Sequence, residues 1–175
     1  MKILFITQLS EKFQKNSTLV NDIVSDMILH GFKEVYGNDV IDFPGAWYMY
    51  TDEQKKRSLG SKKLWGNGFN YYDSYNNYNT FDRTDIQKKI RNNYFEYIVY
   101  GAYPRSNFFY EDSMNSKSKV ILIDGEDNTS LHLNKNKKVI FFKRELIKKE
   151  ENIFPLNVCI PKKKIIENLN LKPKN

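Results

Sequence analysis

Two short apolar runs, each followed at once by charged or glycine residues, constrain the fold of this chain more than any other feature. Residues 97–100 read YIVY and lead into GAYPR, and residues 120–123 read VILI and lead into DGED. Runs of this kind, without polar alternation, are typical of strands that are covered on both faces. Ligand crevices in open α/β sheets form where such strands end. The sequence therefore predicts an α/β fold and the edge of the sheet at which a site lies.

Further apolar runs predict strands along most of the chain. The predicted strands cover residues 2–7, 40–43, 97–100, 120–124, 139–142 and 156–160. A helix between the first two makes a β-α-β unit, whose strands are parallel. A chain of 175 residues is long enough for one core. We expect a single Rossmann-like three-layer domain over residues 1–160, with a mainly parallel sheet of five to six strands, and a basic C-terminal helix or tail over residues 161–175.

Apolar residues at helical spacing predict the helices that cover this sheet. The first helix is expected to begin at Asn16 or Ser17, which are good N-caps, and to end just before Gly31. The second is expected to begin at Asp82 or Thr84. Its apolar face comprises Ile86, Ile90 and Tyr94. Residues 106–118 are long enough for one more short helix.

Residues 45–81 form an insertion without clear periodicity that holds ten of the 26 aromatic residues of the chain. A connection this long is typically either functional or disordered, and its aromatic density argues against disorder. The favoured interpretation is an irregular layer packed over one edge of the sheet. The other is a stacking surface for sugar rings or bases, with Trp47 and Trp65 as candidates.

The net charge of +7 is concentrated near the C-terminus, because residues 132–175 hold 12 of the 28 Lys and Arg residues but 4 of the 21 Asp and Glu residues. Such a segment suits nucleic acid, an anionic lipid surface or a phosphorylated ligand. Arg144 is the only arginine in this segment, and only a planar guanidinium group can form paired hydrogen bonds with a base or a phosphate. We therefore interpret the segment as a solvated lysine-rich surface, which argues against nucleic acid as a partner.

The expected cellular compartment of the protein rests on two features of the sequence, its short first apolar stretch and its single cysteine. The first apolar stretch ends at Gln8, so it is too short for a signal peptide or a membrane span. Cys159 is the single cysteine, which excludes an intrachain disulfide and gives no zinc motif. We expect a cytoplasmic protein without a transmembrane segment.

Polar side chains that follow the predicted strands are candidates for ligand binding. They are Gln8, Arg105, Ser106, Asp124, Glu126, Asp127, Lys143 and Arg144. Carboxylates there can accept hydrogen bonds from sugar hydroxyls, bind a divalent cation or act as an acid and base pair, and the arginines can bind phosphate or carboxylate. Alternatively, the Asp-Gly pair marks an ordinary turn, and the cations neutralise the carboxylates in a structural network.

No residue is assigned a catalytic role by these patterns, and no cofactor or bound metal is expected. The residues after the first strand read TQLS, not G-x-G-x-x-G, and no G-x-x-x-x-G-K-[ST] occurs in the chain. A dinucleotide-dependent dehydrogenase and a P-loop enzyme are therefore disfavoured.

Several segments resemble the amino-terminal domain of uncharacterised bacterial glycosyltransferase-like proteins with two Rossmann domains, the GT-B type. The segments are residues 20–23, 29–32, 39–44, 82–86, 94–101, 123–127 and 142–146. The resemblance implies an acceptor-side domain that recognises a carbohydrate or sugar nucleotide in surface polysaccharide biosynthesis. It also implies a cleft lined by Arg105, Asp124, Glu126 and Arg144.

In that class a second Rossmann domain holds the sugar nucleotide, and this chain ends about where such a domain would begin. The resemblance therefore implies a module that is not catalytically complete alone and that needs a second domain or a partner subunit. A different class of function remains open. It is a non-enzymatic nucleic-acid or protein-interaction module that uses the basic C-terminal quarter and the aromatic insertion.

Overall fold

The computed structural model describes residues 1–8, 22–53, 75–103, 105–130, 138–147 and 151–157. The strands are β1 (Ile3–Ile6), β2 (Val40–Phe43), β3 (Tyr97–Tyr100), β4 (Lys119–Asp124), β5 (Val139–Lys143) and β6 (Ile153–Pro155). The helices are α1 (Ile23–Tyr36), α2 (Ile86–Arg91) and α3 (Tyr110–Asn115), with 3₁₀ turns at Gly37–Asp39, Trp47–Met49 and Tyr78–Thr80.

The six strands form one sheet in the order β2-β1-β3-β4-β5-β6, and every neighbouring pair is parallel. The predicted α/β class and parallel sheet are confirmed. The segments that end at Tyr100, Asp124 and Lys143 run side by side in one direction, so their carboxyl ends lie at one edge.

The two sides of the sheet bury separate apolar clusters. Alternate residues of β1 divide between them: Phe5 packs with Val24 and Met27 of α1, whereas Leu4 packs with Ile86 and Ile90 of α2. This division is expected from the strand order. The chain moves from β1 to β2 in one direction along the sheet and from β3 to β6 in the other. Right-handed crossovers that move in opposite directions place their helices on opposite faces of the sheet. The core therefore lies in three layers.

Helix α1 differs from its predicted bounds at both ends. Asn16 and Ser17 lie outside the described residues, and the described helix begins at Ile23, with the Asp22 carboxylate accepting a hydrogen bond from the Ser25 backbone N–H at 2.8 Å. The helix continues through Gly31 and ends at Gly37, whose φ is +53°. The turn of the helix after Gly31 is held by Lys33, whose ammonium donates to the Val40 carbonyl at 3.2 Å and lies 3.3 Å from the Asp42 carboxylate, although a glycine inside a helix costs about 1 kcal/mol.

Helix α2 is shorter than its predicted apolar face. Asp85, not Asp82 or Thr84, is its N-cap residue, and Ile86 and Ile90 are buried as predicted. Tyr94 is 46% exposed because the helix ends at Arg91 and the chain turns toward β3.

The sixth strand was predicted three residues too late. It covers Ile153–Pro155, and residues 158–160 lie outside the described residues. Pro155 reads as a strand breaker, but at the last position of an edge strand its missing N–H removes no bond of the ladder. Ile153 pairs with Phe141 and is buried, which anchors the strand.

The described parts of the aromatic insertion, residues 45–53 and 75–81, form a layer on the α1 side of the sheet. Residues 46–50 are all buried in the apolar cluster of that side. The backbone of Tyr75 bridges to Tyr50, and the two rings lie 5.7 Å apart. This arrangement supports packing as the role of the insertion.

Within the described residues, no helix is long and apolar enough to cross a membrane.

Candidate functional site

The strand order places a crevice between the carboxyl ends of β1 and β3. Strand β1 lies between β2 and β3. The connection that follows β1 leads to β2 on one side, and the connection that follows β3 leads to β4 on the other side, so the two connections diverge at this point. Open sheets with the order 2-1-3-4-5 bind ligands at this divergence, outside the strand ends. Gln8 follows β1 and Arg105 follows β3, so both candidates lie at the expected position.

Arg105 is the centre of a polar cluster at this crevice. Its guanidinium pairs with the Glu126 carboxylate through Nε and with the Asp22 carboxylate through Nη1 at 3.1 Å. The same Nη1 donates a longer hydrogen bond to Gln8 Oε1 at 3.5 Å. The guanidinium bond lowers the pKa of Glu126, so this carboxylate is ionised at neutral pH. The cluster thus contains four planar polar groups. Three of them come from the segments that follow β1, β3 and β4, and the fourth is the N-cap residue of α1.

Ser106 is buried and supports the crevice from below. Its hydroxyl donates to the Thr7 carbonyl at 2.9 Å, and its backbone N–H donates to Ala102. The hydroxyl bond joins the segments that follow β1 and β3. Ser106 therefore holds the loops that carry Arg105 and Gln8 together, and direct ligand binding by Ser106 stays a prediction that its burial argues against.

Asp124 and Lys143 form a fully buried ion pair behind the crevice. They are register partners at the ends of β4 and β5, their charged atoms are 2.8 Å apart, and both side chains are 0% exposed. The other Asp124 oxygen accepts the backbone N–H of Glu126 at 2.9 Å. Neither side chain contacts solvent, so the pair positions Glu126, and direct ligand contact by Asp124 or Lys143 is a prediction that the burial argues against.

Arg144 and Asp127 form a second rim beside Glu126. The Arg144 guanidinium pairs with Asp127 through Nη2, and its Nε lies 3.6 Å from the Glu145 carboxylate. Asp127 is mostly exposed. All the predicted polar residues therefore lie at one edge, but three of the eight are buried.

The floor of the crevice is a close approach between α1 and the end of β3. A Cβ added to Gly101 would lie within 3.0 Å of the Phe5 ring and of Ser25 Oγ. Ser25 lies in the first turn of α1 and is buried, and within the described part of the chain its hydroxyl has no hydrogen-bond partner. The fold leaves this polar group unused beside Gly101. Sequence reasoning missed Asp22, Ser25 and Gly101, although an aspartate just before an apolar helical stripe is an N-cap signal.

Replacing Ser25 with alanine is expected to leave the free energy of unfolding unchanged or to raise it by up to about 1 kcal/mol, because it removes a buried polar atom that makes no bond. Chemical denaturation of both proteins measures the difference. A loss of more than about 1 kcal/mol would show that the hydroxyl has a partner in solution.

Of the two stacking candidates, Trp47 lies in the core and not at the crevice. Trp47 is 3% exposed, and its ring packs edge-on against Tyr48 within the core. A ring so buried has no free face for a sugar or base. Trp65 lies outside the described residues.

A second polar cluster, which the sequence did not predict, lies at the end of β2. The Asp42 carboxylate is fully buried and lies 2.7 Å from Arg83 Nη2 and 3.3 Å from Lys33 Nζ. It also accepts hydrogen bonds from the Tyr50 hydroxyl and the Ala46 backbone N–H. Burial alone would raise the pKa of Asp42, but the two cations and these bonds lower it to about 2. An aspartate within an otherwise apolar strand was the available signal.

A cavity of about 600 Å³ lies elsewhere, between α2 and the rings of Phe43 and Phe109. Its two arginines are already engaged, Arg83 with Asp42 and Arg91 with Asp112. Asp85 and Lys88 also line the cavity. The crevice between β1 and β3 is preferred because it lies where the strand order diverges.

Among the described residues, no group of three or more His, Cys, Asp or Glu side chains is arranged to hold a metal ion. Comparisons of the chain with protein-family models, with curated proteins and with solved structures found no match. The parallel sheet and the geometry of the crevice are therefore the basis for any functional proposal.

Proposed function

We propose that this chain is a carbohydrate-recognition domain that binds a sugar in the crevice between β1 and β3. The observation that carries the proposal is the cluster of planar polar side chains around Arg105 at the point where the strand order diverges. We further propose that the domain is the acceptor side of a glycosyltransferase-like cytoplasmic protein of surface polysaccharide biosynthesis. In this proposal a second domain or partner subunit completes the enzyme.

The chemistry of the cluster supports a polyhydroxyl ligand. A carboxylate, an amide and a guanidinium each present two polar atoms in one plane, so each can bond two neighbouring hydroxyl groups. Glu126, Asp22 and Gln8 accept hydrogen bonds, whereas Arg105 donates them. A sugar hydroxyl both donates and accepts, so it can insert between these groups without leaving any of them unpaired.

The alternative, a nucleic-acid or protein-interaction module, depends on the basic C-terminal quarter and the aromatic insertion. Much of both lies outside the described residues, and residues 46–50 of the insertion are buried in the core. Salt distinguishes the two functions, because binding to a phosphate backbone weakens steeply with added salt whereas binding of a neutral sugar does not.

Arg105→Gln is expected to weaken sugar binding about tenfold, because it removes a charged donor and releases the two carboxylates that the guanidinium orients. Ligand-observed NMR with a pool of neutral hexoses measures the change. Arg91→Gln is the matched control, since Arg91 also pairs with a carboxylate at 2.8 Å but lies on α2.

Both variants are expected to unfold at nearly the same temperature as the wild-type protein, because exposed ion pairs contribute little to stability. Equal hexose binding by the wild-type and Arg105→Gln proteins, or no hexose binding by the wild-type protein, would refute the proposed function.

A further inference from the structure

We propose that the C-terminal segment, residues 158–175, folds back over the sheet and covers the apolar side chains of β4, β5 and β6 on the α1 side. These side chains, which we call the outer face, are Ile121, Ile140, Phe142 and Phe154. The inference does not depend on sugar binding in the crevice.

The outer face is an apolar surface that is only partly covered. Phe154 is 46% exposed, and Ile121, Ile140 and Phe142 are partly buried. The rings of Phe142 and Phe154 lie 5.6 Å apart, so the two edge strands present one continuous patch. The same three strands bury their other side in the apolar cluster of α2 and α3. Because parallel sheets are normally covered on both faces, the outer face calls for an occupant.

The strand order explains why the described connections leave the outer face open. From β3 to β6 the chain moves in one direction along the sheet, so right-handed crossovers place these connections on the α2 side. Helix α3 and Leu146 pack on that side. On the α1 side, the described cover comes from α1 and the aromatic insertion, which follow β1 and β2 at the other end of the sheet order.

The chain leaves β6 toward the side that lacks cover. Leu156 directly follows the strand, and its backbone N–H donates to the Lys143 carbonyl at 2.9 Å. Its side chain is buried in the apolar cluster of the α1 side. Residues 158–175 therefore begin next to the outer face.

The other undescribed segments of more than three residues have their ends elsewhere. Residues 9–21 begin and end at the crevice, where both flanking side chains contact the central guanidinium. Residues 54–74 begin and end in the layer of the insertion, whose two described parts are joined by backbone hydrogen bonds. Residues 131–137 end on the α2 side, where Lys138 donates to two carbonyls at the end of α3. The C-terminal segment is therefore the best placed of these occupants.

The sequence of the C-terminal segment suits such a surface. Pro161 is favourable at the first position of a helix, and Ile165, Ile166 and Leu169 then form one apolar stripe. A helix over residues 161–171 would be about 16 Å long, and three neighbouring strands span about 10 Å. The segment is thus long enough to cross the outer face with its lysines in solvent.

Nuclear Overhauser effects in the full chain, with isotope-labelled Ile and Leu methyl groups, test the proposal directly. We expect contacts between the methyl groups of Ile165, Ile166 or Leu169 and the rings of Phe142 or Phe154. A sample that mixes labelled with unlabelled protein identifies contacts between two copies. Absence of these contacts, cover of the outer face by a different segment, or contacts only between copies would overturn the proposal.

Ile166→Asp tests the same packing through stability. It is expected to lower the midpoint temperature of unfolding by about 6 °C or more, because it places a charge against an apolar surface. Lys164→Gln is the matched control, since it changes the net charge by the same amount but lies on the other side of the predicted helix. Its expected shift is less than about 2 °C. Equal shifts in the two variants would refute the docking of the apolar stripe.

Discussion

Gly101→Ala is expected to lower the free energy of unfolding by about 3 kcal/mol, because the added methyl group has no space between α1 and the end of β3. Its carbon would lie within 3.0 Å of the Phe5 ring and of Ser25 Oγ. Phe5 is fully buried and Ser25 lies on a 14-residue helix, so neither can yield without moving β1 or α1. Urea denaturation followed by circular dichroism measures the change.

Gly31→Ala is the matched control for this substitution. Gly31 lies within α1, and apart from its chain neighbours and the backbone of its own helix, nothing lies within 4 Å of the position that its Cβ would take. Alanine there is expected to raise the free energy of unfolding by about 0.5 to 1 kcal/mol, because glycine is the poorer helix former. A lower free energy of unfolding in Gly101→Ala together with a higher one in Gly31→Ala would show that the lack of space beside Gly101, and not the loss of a glycine as such, destabilises the protein. Wild-type stability of Gly101→Ala would contradict the close approach.

Asp42→Asn is expected to lower the free energy of unfolding by about 3 to 5 kcal/mol, because it leaves two buried cations without their counter-charge. The cations are Lys33 and Arg83, whose side chains are 4% and 12% exposed. Replacing Lys33 with Met in the same protein removes one of them and is expected to restore part of the loss. Chemical denaturation of the single and double variants measures both effects.

The same carboxylate predicts how stability depends on pH. The pKa of Asp42 is lowered from 3.8 to about 2 in the folded protein, so its contribution is fully present above about pH 4 and is lost as the pH falls through 2. The contribution amounts to about 2 kcal/mol. The difference in unfolding free energy between the wild-type protein and Asp42→Asn is therefore expected to shrink by that amount between pH 5 and pH 2.

Asp112→Asn is the control for the Asp42 experiments. Asp112 also accepts bonds from an arginine, but its partner Arg91 is mostly exposed. Removal of this charge is expected to change stability little at any pH, because solvent screens the pair. A pH dependence equal in both variants would contradict the buried network as its source.

The apolar runs predicted the sheet well because a strand buried on both faces must be apolar at every position, which leaves a signal in a few adjacent residues. Tyr97–Tyr100 and Lys119–Asp124 are examples. The predicted ends of helices and strands were wrong where contacts between residues far apart in sequence determine them. Helix α1 passes Gly31 because Lys33 is bonded to the Val40 carbonyl and Asp42, and the last strand includes Pro155 because the edge position tolerates it.

The candidate site was predictable to the same extent. Because parallel strands end at one edge, the polar residues after them had to meet there, and Gln8, Arg105 and Glu126 do so. The sequence could not show which of these polar side chains are buried, since the exposure of a side chain depends on the segments that pack around it. Ser106, Asp124 and Lys143 are buried, whereas Arg105 and Asp127 are exposed.

Local patterning of apolar and turn residues thus determined the α/β class, the parallel strands and the edge that carries polar groups, because each of these depends on neighbours in the chain. Only the tertiary structure decided which charges are paired, which polar groups are buried and where α1 approaches Gly101. Those features arise from contacts between residues far apart in sequence, such as Arg105 with Asp22 and Arg83 with Asp42, and no local pattern records them.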